Sequence, residues 1–353
     1  MRLERRNATS HLAQLLAPIG AIAFTFAVAA LLVWWAGQPV SRTYALLLEG
    51  GFGSVFAWSE TLTRAIPLAL TGLAVAIAFR ARLFNIGAEG QLYAGALAAI
   101  AVGGMHGGTG FPLPTWLLFP LMMAAAALAG ALLLLGPALL KVKLGVDEVV
   151  TTLLLNFIVL LAIGALLDGP MKDPLAMGWP RSVGLKSDLE LGKLIAKTRV
   201  HTGLVWAAVL ALGTWVMLRF TLLGFDIRAV GANARAAAFA GVGITRTIVA
   251  VALLSGAMAG LAGAIEVAGR TSYLTLDMSP GYGYSGIVIA MLAGLHPLGV
   301  LAASVFVAGV LVGADSMSRA IGVPTYIADV IVAASLISVL VAMLLANYRV
   351  RWK

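Results

Sequence analysis

The sequence predicts an all-α integral membrane protein with about ten transmembrane helices, and three observations carry that prediction. Of the 353 residues, 61% are hydrophobic and only 11% are charged. Soluble domains carry about 25% charged residues, and so few charges cannot cover a soluble surface of this size. Apolar runs of the roughly 20 residues needed to span a bilayer recur from end to end. The basic residues also cluster on alternate loops, as the positive-inside rule requires.

The first candidate span, Pro18–Gly37, closes on Trp34 and Trp35, aromatics suited to the headgroup level. Arg2, Arg5 and Arg6 before it resemble a signal-peptide flank. The apolar run is too long for a cleaved signal and no small-x-small site follows, so it reads as a retained helix. Next come Arg64–Phe79, Gly87–Gly104, Trp116–Gly136, Glu148–Leu167 and Thr202–Arg219. Thr247–Ala268, a short Gly281–Leu295, Leu298–Asp315 and Thr325–Ala346 complete the set. Gly281–Leu295 is long enough only for a half-helix, and His296-Pro297 breaks the chain after it. Paired with the next segment it would form a re-entrant hairpin, leaving eight full spans. Both versions place both termini in the cytoplasm and make residues 1–353 a single polytopic domain.

With that orientation 14 of the 24 basic residues are cytoplasmic. Six others lie in one extracytoplasmic loop, residues 168–200, where Asp168, Asp173, Asp188 and Glu190 partly offset them. The net charge of +9 is therefore an orientation bias rather than a nucleic-acid footprint. Absent cysteines exclude a disulfide framework and a thiolate metal site. Four scattered histidines offer neither a metal cluster nor a catalytic constellation. There is no phosphate-binding Gly-x-x-x-x-Gly-Lys-Ser/Thr loop; Gly192-Lys193-Leu194 lacks the rest of it. Nucleotide energy must come from another polypeptide, and no cofactor or metal is expected in this chain.

The most informative stretch is Phe84-Asn85-Ile86-Gly87-Ala88-Glu89-Gly90-Gln91, polar and glycine-rich between apolar runs. Broken backbone at membrane depth is tolerated only where it is buried in protein or lines a cavity, and a charge there costs about 2.5–3.5 kcal/mol on insertion scales. Asn85, Glu89 and Gln91, with Asn156 in mid-span, are the candidates for a substrate path. The alternative is that they tie the broken helix in place. Glu89 and Gln91 are separated by about 200° on a helix and cannot share a face. Glu266, Asp315 and Asp329 lie near span ends and read as structural, and Gly256–Gly260 is a Gly-x-x-x-Gly packing face. An inverted internal repeat is also suggested. At a constant offset of 191, Gly90, Tyr93, Gly95 and Ala99 match Gly281, Tyr284, Gly286 and Ala290. Leu70, Gly72 and Gly103 match Leu261, Gly263 and Gly294. Interrupted helices in inverted repeats are a transporter pattern.

Residues 220–246 form a basic cytoplasmic loop. Within it, Asn233–Ala240 offers a capping residue followed by helix formers and a glycine stop at Gly241, which predicts a two-turn helix. Its small residues would admit another surface closely; a helix lying on the membrane fits as well.

These residues resemble a known family. Phe84–Gln91 is similar to the pattern of ABC-importer permeases of the branched-chain amino acid/ribose type, closest to the nucleoside and simple-sugar branch. Asp147-Glu148-Val149-Val150-Thr151-Thr152-Leu153-Leu154-Leu155-Asn156 resembles that branch's Asn-Glu-Val-Ile-Ser-Thr-Ile-Met-Leu-Asn pattern, with Asp147 replacing the first Asn. The run from Arg228 through Gly241 resembles the coupling loop, with Ala234 where proline is common, and Gly294–Gly299 also fits. The resemblance implies a type II-like ABC importer permease. In such complexes a second permease subunit, identical or different, and ATP-binding subunits carrying ATP-Mg join this chain. An extracytoplasmic solute-binding lipoprotein delivers the nucleoside or sugar. It further implies that Arg228, Gly231, Asn233, Arg235, Ala238 and Gly241 couple to the ATPase. The competing readings are an ion-coupled secondary transporter, an ABC permease for ribose or branched-chain amino acids, and a membrane-embedded enzyme, disfavoured for want of catalytic residues.

Overall fold

A computed structural model of the chain describes residues 2–5, 20, 23–31, 33–34, 37, 39–105, 113–321 and 348–351, with single positions between 326 and 341. The elements are helical apart from one short pair of strands. In order they are β1 (Arg2–Arg5), α1 (Val40–Phe52), α2 (Val55–Arg80), α3 (Ala88–Gly103), α4 (Thr115–Leu144) and α5 (Glu148–Asp168). There follow α6 (Gly203–Phe220), α7 (Leu222–Ala232), α8 (Ala234–Phe239), α9 (Ile244–Glu266), α10 (Tyr282–Leu292), α11 (Pro297–Ile321) and β2 (Tyr348–Arg351).

Among the described residues six helices are long and apolar enough to cross a membrane: α2, α4, α5, α6, α9 with its continuation to Thr271, and α11. Of the predicted span Pro18–Gly37, residues 20, 23–31, 33 and 34 are helical. Thr325–Ala346 lies largely, and Asp329 wholly, outside the described residues, so ten crossings are not all seen. The 16 residues of α3 and the 11 of α10 make short helices, about 24 and 16 Å long against a hydrocarbon core of about 30 Å. The sequence read Gly281–Leu295 as a half-helix and Leu298–Asp315 as a span, with a re-entrant hairpin of the two as the alternative. Of that pair, α11 runs 25 residues, long enough to cross alone, and α10 is the short one. Two helices, α1 and α7, were not foreseen.

The chain forms two compact units, residues 62–304 and the remainder. In the larger, α9 is the central helix, packed on α3 and α4. Small residues permit this: a Cβ on Gly256 would sit 2.3 Å from the Gly130 carbonyl oxygen, and one on Gly260 2.2 Å from that of Ala126. The Gly-x-x-x-Gly face is therefore a packing face, as its spacing suggested. In the smaller unit α1 lies against the last turns of α11, with Gly51 close to Gly309, and Thr61 donates to the Gly51 carbonyl at 2.7 Å. There too β1 pairs antiparallel with β2, Arg2 opposite Arg351, which brings the two ends of the described chain together.

Candidate functional site: an interrupted helix locked by buried amides

Between α2 and α3 the chain leaves helix for residues 81–87. Backbone donors and acceptors freed there must be satisfied by protein. Asn85 and Gln91 do this as a reciprocal pair: Asn85 Nδ2 donates to Gln91 Oε1 and Gln91 Nε2 to Asn85 Oδ1, both at 2.9 Å. Asn85 Oδ1 also accepts from the Gly87 amide at 2.9 Å, and its Nδ2 reaches Ser255 Oγ of α9 at 3.1 Å. Ser255 Oγ passes the chain on to the Ala74 carbonyl at 2.7 Å. Asn156, projecting from α5, accepts from the Gly90 amide at 2.8 Å and donates to the Ile86 carbonyl at 2.9 Å and to Tyr284 Oη at 3.1 Å. One side chain thus stitches both edges of the break.

Glu89 turns the other way, as the helical geometry required. It is 3% exposed, and its Oε2 accepts from the Gly283 amide at 2.6 Å. A carboxylate on the first turn of a helix meets both free amides and the favourable end of the dipole. Glu89 of α3 therefore caps α10, one interrupted element fastening the other. Asn85, Glu89, Gln91 and Asn156 are all buried and all bonded to protein.

At the near end of α5, Glu148 Oε1 accepts from the Phe84 amide at 3.1 Å and pairs with Lys141 Nζ, which also donates to the Arg82 carbonyl at 2.8 Å. Asp147 caps α5, its Oδ1 accepting from the Val149 amide at 2.8 Å. Asparagine and aspartate cap helices equally well, so its departure from the family pattern preserves that role.

A second buried polar group centres on Glu266, read from the sequence as structural; its partners Arg270 and Tyr282 were not foreseen. Past the end of α9 the backbone widens into a π-helical turn, Val267–Thr271. Arg270 Nη1 there donates to Glu266 Oε1 at 2.6 Å and to Tyr282 Oη at 3.0 Å. The one available signal was an arginine four residues after a glutamate at a span end. Asp315 sits partly buried on α11. Facing Gly269 is the ring of His201, fully buried before α6; a Cβ on that glycine would come within 2.2 Å of it. Burial first, and then the Arg270 charge, lower its pKa from 6.5 to about 4.

On the other face, the predicted short helix appears as α8. Asn233 caps it, Oδ1 accepting from the Ala236 amide at 3.1 Å, and Gly241 ends it at a φ of +88°. Ala237 anchors it in a cluster with Ile227, Val230, Ile248 and Val251. Arg228, Asn233, Arg235, Ala238 and Gly241 are exposed. Gly231 is not at that surface: a Cβ there would lie 1.8 Å from the Arg80 carbonyl oxygen, so it serves packing. Phe239, unmarked in the sequence, is 96% exposed.

Residues 57–340 match the family described as branched-chain amino acid transport system / permease component. The chain belongs to that family. Among this permease's relatives, a guanosine ABC transporter permease protein of Bacillus subtilis is 34% identical, covering 97% of this chain and 96% of its own. A glucose ABC transporter permease protein of Haloferax volcanii is 37% identical over 89% and 83%. A nucleoside ABC transporter permease protein of Lactococcus lactis is 29% identical over 91% and 89%. The chain is accordingly a multi-pass permease subunit of an ABC importer and not an enzyme. ATP hydrolysis belongs to a separate subunit, and family membership implies a substrate-binding protein as well.

Proposed function

We propose that this permease forms the translocation path of an importer for nucleosides. The observation that carries this reading is the end-to-end similarity to a permease named for guanosine, supported by the relative named for nucleosides. A second reading, a simple-sugar substrate, is favoured by the glucose relative. In either case the complex contains a second permease, identical or different, ATP-binding subunits that hold ATP-Mg, and an extracytoplasmic binding lipoprotein. The topology has ten crossings in the cytoplasmic membrane with both termini inside; pairing of β1 with β2 supports the common side.

Asn85, Glu89, Gln91 and Asn156 act by holding the interrupted helices that border the path. Their burial and protein-bound polar atoms support this over direct solute contact. Asn233, Arg235 and Ala238 with Gly241 meet the ATPase, and their exposure on or beside an anchored, capped helix supports the assignment. Arg228 of the expected set lines a pocket with Arg80 and Arg219 instead. Uptake of labelled guanosine, ribose, glucose and leucine, in cells with and without the gene, tests the substrate. Loss of guanosine uptake alone is expected; loss of ribose, glucose or leucine uptake instead would overturn the nucleoside reading.

A further inference from the structure

At the ends of α2 and α6 lies a pocket of about 390 Å³. Three guanidinium groups from three helices line it: Arg80 ending α2, Arg219 in the last turn of α6, and Arg228 on α7. Trp215 and His296 complete its polar wall, and among the described residues no carboxylate lines it. Arg80 is positioned by a hydrogen bond from its Nε to the Leu295 carbonyl at 3.0 Å. Among the described residues no hydrogen bond or ion pair engages Arg219 or Arg228. Three like charges are therefore gathered with nothing of opposite sign between them.

Such an arrangement repels itself until an anion enters. Guanidinium forks match phosphate oxygens in bidentate geometry better than any other side chain. The pocket opens where two span helices end, beside an indole of the kind that settles at headgroup level. Basic pockets between transmembrane helices at that level suit phosphorylated lipid headgroups. We infer that Arg80, Arg219 and Arg228 form a phosphate-group site whose ligand is the headgroup of an anionic phospholipid. The bound phosphate ties the end of α6 and the start of the coupling segment to the turn before α11. The site owes nothing to which solute is imported.

Native mass spectrometry of the purified full chain tests this, with separate titrations of phosphatidylglycerol, phosphatidylcholine and inorganic phosphate. Phosphatidylglycerol should be retained at least roughly tenfold more tightly than phosphatidylcholine, and Arg219→Gln should weaken it roughly fivefold, the worth of one basic residue near a lipid surface. Arg219→Lys, which keeps the charge but not the fork, should fall between. Arg219 is exposed at a helix end, so both variants should run as monodisperse chains. Binding of inorganic phosphate that is lost in Arg219→Gln, without any lipid preference, would keep the phosphate site and assign its ligand to the cytosol. Equal retention of both lipids with no phosphate bound would overturn the inference. So would an Arg219→Gln variant that keeps its lipid but loses the ATPase subunit, which would make the pocket a protein contact.

Discussion

Asn85 shows how a polar residue is made compatible with the membrane interior: each of its amide atoms is answered by Gln91, Gly87 or Ser255. Removing one partner leaves the others buried and unsatisfied, at about 1–3 kcal/mol each. Asn85→Ala should therefore lower thermal stability and yield in detergent. Gln91→Leu should act similarly, and the double variant less than additively because both remove one pair. Normal melting of Asn85→Ala with weakened solute affinity would instead make it a contact residue. His201 gives a pH dependence at the same scale. Its folded pKa, about 4, lies below the unfolded 6.5, so the unfolded chain binds the extra proton between those values. The stability conferred by neutral His201 is full above pH 6.5 and is lost as pH falls toward 4, by about 3 kcal/mol in all. His201→Phe should flatten a melting curve series over that window; an unchanged slope would refute the assignment.

The short elements are where the sequence was most and least legible. The cap, the alanine run and the glycine stop of α8 are local signals, and its limits were readable to within a residue. The polar break at Phe84–Gln91 was equally plain, because charge and glycine stand out against apolar neighbours. Its partners were not, since Ser255 and Gly283 lie more than 160 residues away and look ordinary in sequence. Neither was the inward packing of Gly231, decided by the carbonyl of Arg80, nor the exposure of Phe239. At the end of α8 Phe239 is exposed four residues after the exposed Arg235, a pairing that suits the proposed ATPase surface. Phe239→Ala should weaken retention of the ATPase subunit roughly five- to thirtyfold, equivalent to about 1–2 kcal/mol for a truncated aromatic contact. Arg235→Glu should lower transport-coupled ATP hydrolysis while leaving membrane insertion intact. Hydrolysis unchanged by both would move the coupling surface elsewhere.

Across residues 62–304 the offset of 191 read from the sequence can be laid on the helices. It maps α2 onto α9 and α3 onto α10, and the pairs cross over: α3 packs on α9, while α10 packs on α2. Gly263 of α9 is pressed against the Leu92 carbonyl of α3, and its equivalent Gly72 of α2 faces Ile289 of α10. Thr71 reinforces the second contact by donating to the Tyr282 carbonyl at 2.9 Å. Interlocked long and short helices of this kind suit a transporter, since each long helix holds the short helix of the other pair. The match is not symmetric in tightness. A Cβ at Gly263 would lie 1.9 Å from a backbone oxygen, whereas one at Gly72 would meet only the side chains of Ile289 and Val300, at 2.9 Å. Side chains can change rotamer and backbone cannot, so Gly72→Ala should cost about 1–3 kcal/mol, as ordinary overpacking does. Gly263→Ala must separate α9 from α3, and with them the Asn85–Ser255 link, so it should abolish correctly folded protein. Fluorescence-detected size exclusion of the two variants side by side decides the matter: equal tolerance would sink the crossed packing, and with it the repeat as an organising feature of the path.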